Sequence, residues 1–208
     1  MVSKGQYLER PALIPLGTET LEGLWHRGQH IPPLLVVPPP PGAGSMDHVV
    51  CAELAWAAAR AGHAVLRFNF RGVGASQGSM GDAGSRVQDT AGALRLLREN
   101  TEVTDVAVAV VEESLLTGLR LAQAHPGIVG LVLVSPPADP LLVTVTVPLL
   151  AIVGALEPGQ AGLAALVQQA GGRLVTVPEA DRRFLRNLPR VGQAAVEWLP
   201  RLAKAPES

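Results

Sequence analysis

The sequence has one cysteine, Cys51, among 208 residues. That excludes an intrachain disulfide and any zinc site built on a cysteine cluster, and it suits a reducing compartment. It has no charge imbalance: 17 Lys and Arg stand against 18 Asp and Glu, for a net charge of −1. There is therefore no electrostatic case for nucleic acid or for an anionic membrane surface. It also lacks a long uninterrupted apolar run. The most apolar stretch, Ile128 to Leu156, has Asp139 as its only charge but is broken by Pro136, Pro137, Pro140 and Pro148. A membrane helix needs about 20 continuous apolar residues, so two buried strands joined by a turn fit better and no membrane insertion is expected. Met1 to Gly17 carries Lys4, Glu9 and Arg10 without an apolar core of signal-peptide length, and a cytoplasmic protein is expected. Histidine is sparse too, with five in the chain, so imidazole catalysis depends on where those five fall.

What is present is a regular alternation. The length fits one domain, residues 1–208 with no separate lid, that needs neither a structural metal nor a cofactor for its core. From about residue 31, short Val/Leu runs alternate with Ala/Leu-rich amphipathic stretches. Strands are expected at Leu34–Val37, Ala64–Phe70, Val103–Val111, Val129–Ser135, Pro148–Val153 and Leu174–Val177. Helices are expected at Asp47 to Ala61, Arg86 to Glu99, Ser114 to Ala124, Gln160–Ala170 and Pro189 to Lys204. Ala12–Leu16 and Thr20–His26, separated by Gly17, Thr18 and Glu19, read as an antiparallel hairpin at one edge. The fold class is α/β: a mostly parallel sheet of about seven or eight strands with an N-terminal antiparallel hairpin and helices on both faces.

The most specific segment runs from Leu66 to Gly78, Leu-Arg-Phe-Asn-Phe-Arg-Gly-Val-Gly-Ala-Ser-Gln-Gly. Gly72, Gly74 and Gly78 would allow the positive φ that lets a strand turn sharply into a surface loop. A phosphate-binding role fits poorly, because no helix opens directly after these glycines and no Gly-Lys-Ser/Thr follows. The segment resembles the strand-loop signature of the α/β-hydrolase superfamily, in its small, lidless, dienelactone-hydrolase-like branch. Ordered companions extend the resemblance over residues 10 to 200: Gly44 to Asp47, Leu119 to Ala122, Ser135 to Pro137, Val147 to Leu150 and Val196 to Leu199.

The resemblance implies a Ser nucleophile at a strand-to-helix elbow, then an acid, then a His. Aligned on Leu119 to Ala122, the nucleophile position holds Glu112, with Val110 and Ser114 where the elbow's small residues stand. Val110 works against so tight a turn. The acid position holds Glu157, and the His position holds Arg182. A guanidinium stays protonated and cannot be a general base. No intact catalytic residue is therefore assigned; Glu112, Glu157 and Arg182 are the altered triad positions, and they are expected to form one ion-paired cluster. Fallback candidates are Ser114, the nearest hydroxyl, and His48, the one histidine near the active-site end. His63 and His125 fall at the opposite edge of the sheet, and His26 and His30 flank the hairpin as exposed polar residues. The loop Val37 to Gly44 carries four consecutive prolines, which have no amide to offer an oxyanion, although Gly42 to Ser45 would keep some. Cys51 reads as a small buried apolar residue.

These features favour a non-catalytic member of the fold acting as a protein-binding or scaffolding module, its protein partner unidentified. The alternatives are an active serine esterase on a small acyl ligand, or a Glu112–His48 hydrolase, with a displaced triad, and a small-ligand sensor that keeps the pocket without the chemistry. A homodimer would use the sheet edge by the hairpin or the last helix.

Overall fold

The computed structural model describes residues 8–137 and 145–203. Eight strands form one sheet: β1 (Arg10–Leu16), β2 (Glu19–His26), β3 (His30–Val37), β4 (His63–Phe68), β5 (Val106–Val111), β6 (Ile128–Val134), β7 (Leu149–Gly154) and β8 (Arg173–Val177). Their order is β1-β2-β4-β3-β5-β6-β7-β8. β2 pairs antiparallel with β1 and with β4, and every other pairing is parallel. The helices are α1 (Val49–Arg60), α2 (Ala83–Thr101), α3 (Leu115–Ala124), α4 (Gln160–Gln169) and α5 (Pro189–Trp198). Asp139 and Pro140 of the expected turn lie outside the described residues, as does Lys204, the expected end of the last helix.

β5 shows how the sequence divides the core. All six of its residues are buried, and the two-residue period of a strand sends them alternately to opposite faces. Val106, Val108 and Val110 join the core under α2, α3 and α4. Ala107, Ala109 and Val111 face the other way, toward Leu54, Ala55 and Ala58 of α1 and Val191 and Ala195 of α5. Both faces are covered, so an alternating polar face would be wasted here.

Element boundaries shift where side chains intervene. α2 starts at Ala83, three residues before Arg86, because the Asp82 carboxylate accepts from the Ser85 amide at 2.9 Å and caps the helix. α2 runs on to Thr101 and stops at Glu102 in a left-handed conformation, so β5 begins only at Val106. β4 ends at Phe68 because Asn69 leaves the sheet: its Oδ1 accepts from the Met46 amide at 2.7 Å and its Nδ2 donates to Glu22 at 2.6 Å.

The glycine loop after β4 is built as its glycines require. Gly72, Gly74 and Gly78 all have positive φ. A Cβ on Gly74 would stand 2.0 Å from Glu22 Oε1, the oxygen that accepts from the Ala75 amide at 2.7 Å. Arg71 closes the loop by gripping the fully buried Asp89 of α2 through its side chain, at 2.8 and 2.6 Å, and its own amide, at 3.0 Å.

Candidate active site

The site lies at the C-terminal edge of the parallel strands, where loops leaving β3, β5, β6, β7 and β8 meet. Glu112 follows β5 directly with φ +54°, a conformation that non-glycine residues rarely adopt. A short 3₁₀ turn, Glu112–Ser114, then leads into α3. Val110, expected to oppose this turn, is accommodated from the other side. A Cβ on Gly118 of α3 would stand only 2.6 Å from Val110 Cγ1, so the space for the valine comes from a glycine one helical turn beyond the elbow.

The loop after β4 positions the second element. Asn69 holds the Met46 amide, which fixes the chain just before α1, and His48 caps that helix, its Nδ1 accepting from the Val50 amide at 3.4 Å. The other ring nitrogen, Nε2, lies 3.7 Å from Glu112 Oε1, with side chains 17% and 13% exposed. His48 therefore faces Glu112 and not open solvent. With Nδ1 accepting, a neutral ring carries its proton on Nε2, on the side of the carboxylate but at 3.7 Å, too far to form a hydrogen bond to it.

The expected cluster of Glu112, Arg182 and Glu157 does not form. The Arg182 guanidinium pairs instead with Glu113, both half-exposed at the rim. The reason is the elbow: positive φ at Glu112 brings its carboxylate beside His48, and it is Glu113 that reaches Arg182. Glu157 is held elsewhere, its Oε1 accepting from the Gly154 amide at 2.6 Å and lying 2.7 Å from the Ser135 hydroxyl. That hydroxyl is also 3.0 Å from the Arg182 carbonyl, so its one proton is shared between the acid-position loop and the loop bearing Arg182. No sequence signal marks Glu113, Ser135 or Asn69 for the contacts they make here. Asn69 and Ser135 both stand inside matching segments, but their contacts emerge only from the folded geometry, in which Ser135 has φ +44°.

The fallback nucleophile is committed. Ser114 is 0% exposed, and its hydroxyl donates to the Pro38 carbonyl at 2.6 Å. The amides expected to survive in the proline loop are partly committed too, since Ala43 and Gly44 both donate to the Pro40 carbonyl, at 2.9 and 3.3 Å.

The remaining histidines are remote. His63 begins β4 and bonds the Pro32 carbonyl at 2.8 Å, and His125 ends α3. His30 is exposed as expected. His26 is not: β2 is covered on its outer side by β1 and the chain before it. His26 is 2% exposed, with Nε2 3.1 Å from Glu9 Oε1. Glu9 in turn receives the Arg67 guanidinium at 2.7 Å. Cys51 is buried as expected, and burial pushes its thiol pKa far up, which leaves it inert as a nucleophile.

A cavity of about 320 Å³ opens beside Glu157, walled by Pro136, Val153, Leu156, Pro158 and Leu163 and bordered by Asp181 and Arg182. Neither Glu112 nor His48 lines it. Among the described residues no group of three or more His, Cys, Asp or Glu could hold a metal ion, and no helix is long and apolar enough to cross a membrane.

This strand order, with a helix-capped elbow after β5 and an acid-bearing loop after β7, defines the α/β-hydrolase fold. Solved structures agree over nearly the whole chain. A lidless α/β serine hydrolase from Xanthomonas campestris superposes with a TM-score of 0.79 at 21% identity, over 95% of this chain and 96% of that one. A dienelactone hydrolase from Anabaena variabilis gives 0.77 at 20% identity, over 93% and 97%. An α/β serine hydrolase homologue from Coxiella burnetii gives 0.76 at 24% identity, over 91% and 97%. No protein-family model and no curated protein matches the sequence.

Proposed function

We propose that this chain is a single-domain, lidless, cytoplasmic protein of the α/β-hydrolase fold that has given up hydrolysis and serves as a protein-binding or scaffolding module. One observation carries the proposal: the guanidinium of Arg182, the residue that the sequence aligns with the fold's histidine, is turned to Glu113. A group that never deprotonates offers no base on that side of Glu112. On the other side His48 presents a proton, because its Nδ1 is taken by the helix cap. A carboxylate nucleophile would need a histidine with a free lone pair to activate water. The prolines of Pro38–Pro41 and the tied amides of Ala43 and Gly44 weaken the stabilisation of an oxyanion as well. Labelling with a fluorophosphonate probe tests this. No labelling is expected, and labelling that disappears in Ser114→Ala would overturn the proposal.

A second reading rests on the 3.7 Å approach of His48 to Glu112. If the imidazole surrendered its cap bond, Glu112 and His48 would form a displaced dyad acting on a small ester or lactone, as the names of the structural neighbours suggest for their own substrates. Turnover of an activated ester that is lost in His48→Ala would establish this reading over the first.

A further inference from the structure

The loop that carries Arg182 continues as Arg-Arg-Phe-Leu-Arg-Asn-Leu-Pro-Arg, residues 182 to 190, with four arginines in nine residues. The chain as a whole is almost neutral, so this is a local concentration of cationic forks. The loop is held firmly. Phe184 is buried beneath it, the Asp181 carboxylate accepts from the amides of Arg183 and Leu185 at 3.1 Å each, and Asn187 donates to the Pro178 carbonyl at 2.8 Å. A pinned loop has little conformational freedom left to lose on binding. It nevertheless projects Leu185 into solvent, 78% exposed. Arg183 has no carboxylate within ion-pair distance among the described residues, and Arg186 has only a loose, exposed one in Glu179 at 3.8 Å. Arg182 already shows which group the loop takes, since it holds the carboxylate of Glu113. Beside it lies the 320 Å³ cavity, with five apolar wall residues, bordered by Arg182 and by the carboxylate residues Glu157 and Asp181.

We propose that the 182–190 loop and the adjoining cavity form the docking surface for an acidic peptide segment of a protein partner, with one apolar side chain of that segment entering the cavity. The proposal rests on the reading of the chain as a protein-binding module and names the chemistry of its partner. Arginine forks match carboxylates in pairs, and the cavity supplies the desolvated apolar pocket around which binding energy concentrates. An anionic bilayer would satisfy the charges but leave that pocket without a use.

The probe is a fluorescein-labelled peptide alternating Glu and Leu, titrated against the full chain by anisotropy, with the same peptide carrying Gln for Glu as control. The Glu peptide is expected to bind, to weaken with salt, and to lose at least about tenfold in affinity to the double variant Arg183→Glu with Arg186→Glu. Both residues are exposed, and an unchanged circular dichroism spectrum shows that the variant folds. Glu113→Gln, which frees Arg182, is expected to tighten binding. Equal binding of both peptides, no effect of the arginine reversals, or flotation with phosphatidylglycerol vesicles in place of peptide binding would each overturn the proposal. Ester turnover measured on the same samples separates the two ideas. His48-dependent turnover would overturn the non-catalytic reading alone, whereas failure of the peptide to bind without turnover would overturn the docking surface alone.

Discussion

Gly118→Ala tests how the elbow tolerates Val110. On an exposed helix the substitution would stabilise by about 1 kcal/mol through helix propensity. Here the new methyl would stand 2.6 Å from Val110 Cγ1, well inside van der Waals contact. Val110 cannot yield easily: it is buried in β5, β-branched, and flanked by β3 and β6. Overpacking of this kind costs about 1–3 kcal/mol, so the net expectation is a loss of about 1 kcal/mol. For a chain of this size that lowers Tm by about 2–4 °C. In a Val110→Ala background the clash is gone, and the same Gly118→Ala should instead stabilise by about 1 kcal/mol. Urea denaturation of the four proteins gives the double-mutant cycle. A Gly118→Ala effect of the same sign and size in both backgrounds would refute the claim that this glycine makes room for the valine.

Three further outcomes are expected. Asp89→Asn, which removes the buried charge beneath the Arg71 fork and turns one of its two acceptor oxygens into a donor, should cost about 2–4 kcal/mol in urea denaturation; a loss under 1 kcal/mol, on the order of a surface pair, would show the charge to be dispensable. Gly74→Ala combines a positive φ with a methyl at 2.0 Å from Glu22 Oε1, so it should cost more than about 2 kcal/mol, and a neutral result would contradict the loop geometry. Burial is the largest influence on both His26 and His63 and holds their pKa below the ordinary imidazole value, with Glu9 partly offsetting it at His26. The unfolded chain then takes up these protons first, near pH 6.5, so stability should fall as pH drops below about 6.5 and stop falling once the lower folded-state pKa is passed. Each histidine contributes at most about 1.4 kcal/mol per pH unit. His63→Asn should flatten that slope, and an unchanged slope would remove His63 from the account.

The fold was legible because its signals are local and repeated. The β-branched run before Glu112, the Ala-rich stretch of α1 and the glycines after Phe70 each announce one element, and their alternation selects a parallel sheet. The positions of Glu112, Glu157 and Arg182 at strand ends followed from matching segments. Their pairing did not, because whether Glu112 or Glu113 reaches Arg182 depends on a single positive φ that neither residue type signals. His26 looked exposed because its cover, the chain around Glu9, precedes the hairpin and shows no pattern of its own. The match of Val110 to Gly118 was hidden for a similar reason: eight residues separate them, and only the packing of α3 on β5 brings them together.

The most direct measurement is the turnover of an activated ester, p-nitrophenyl acetate, by the wild-type chain, Glu112→Gln and His48→Ala side by side. If Arg182 and the capped His48 leave Glu112 without a base, all three proteins will show the same small rate over buffer. Turnover by the wild-type chain that disappears in both variants would mean that Glu112 and His48 form a working dyad and that hydrolysis was never lost.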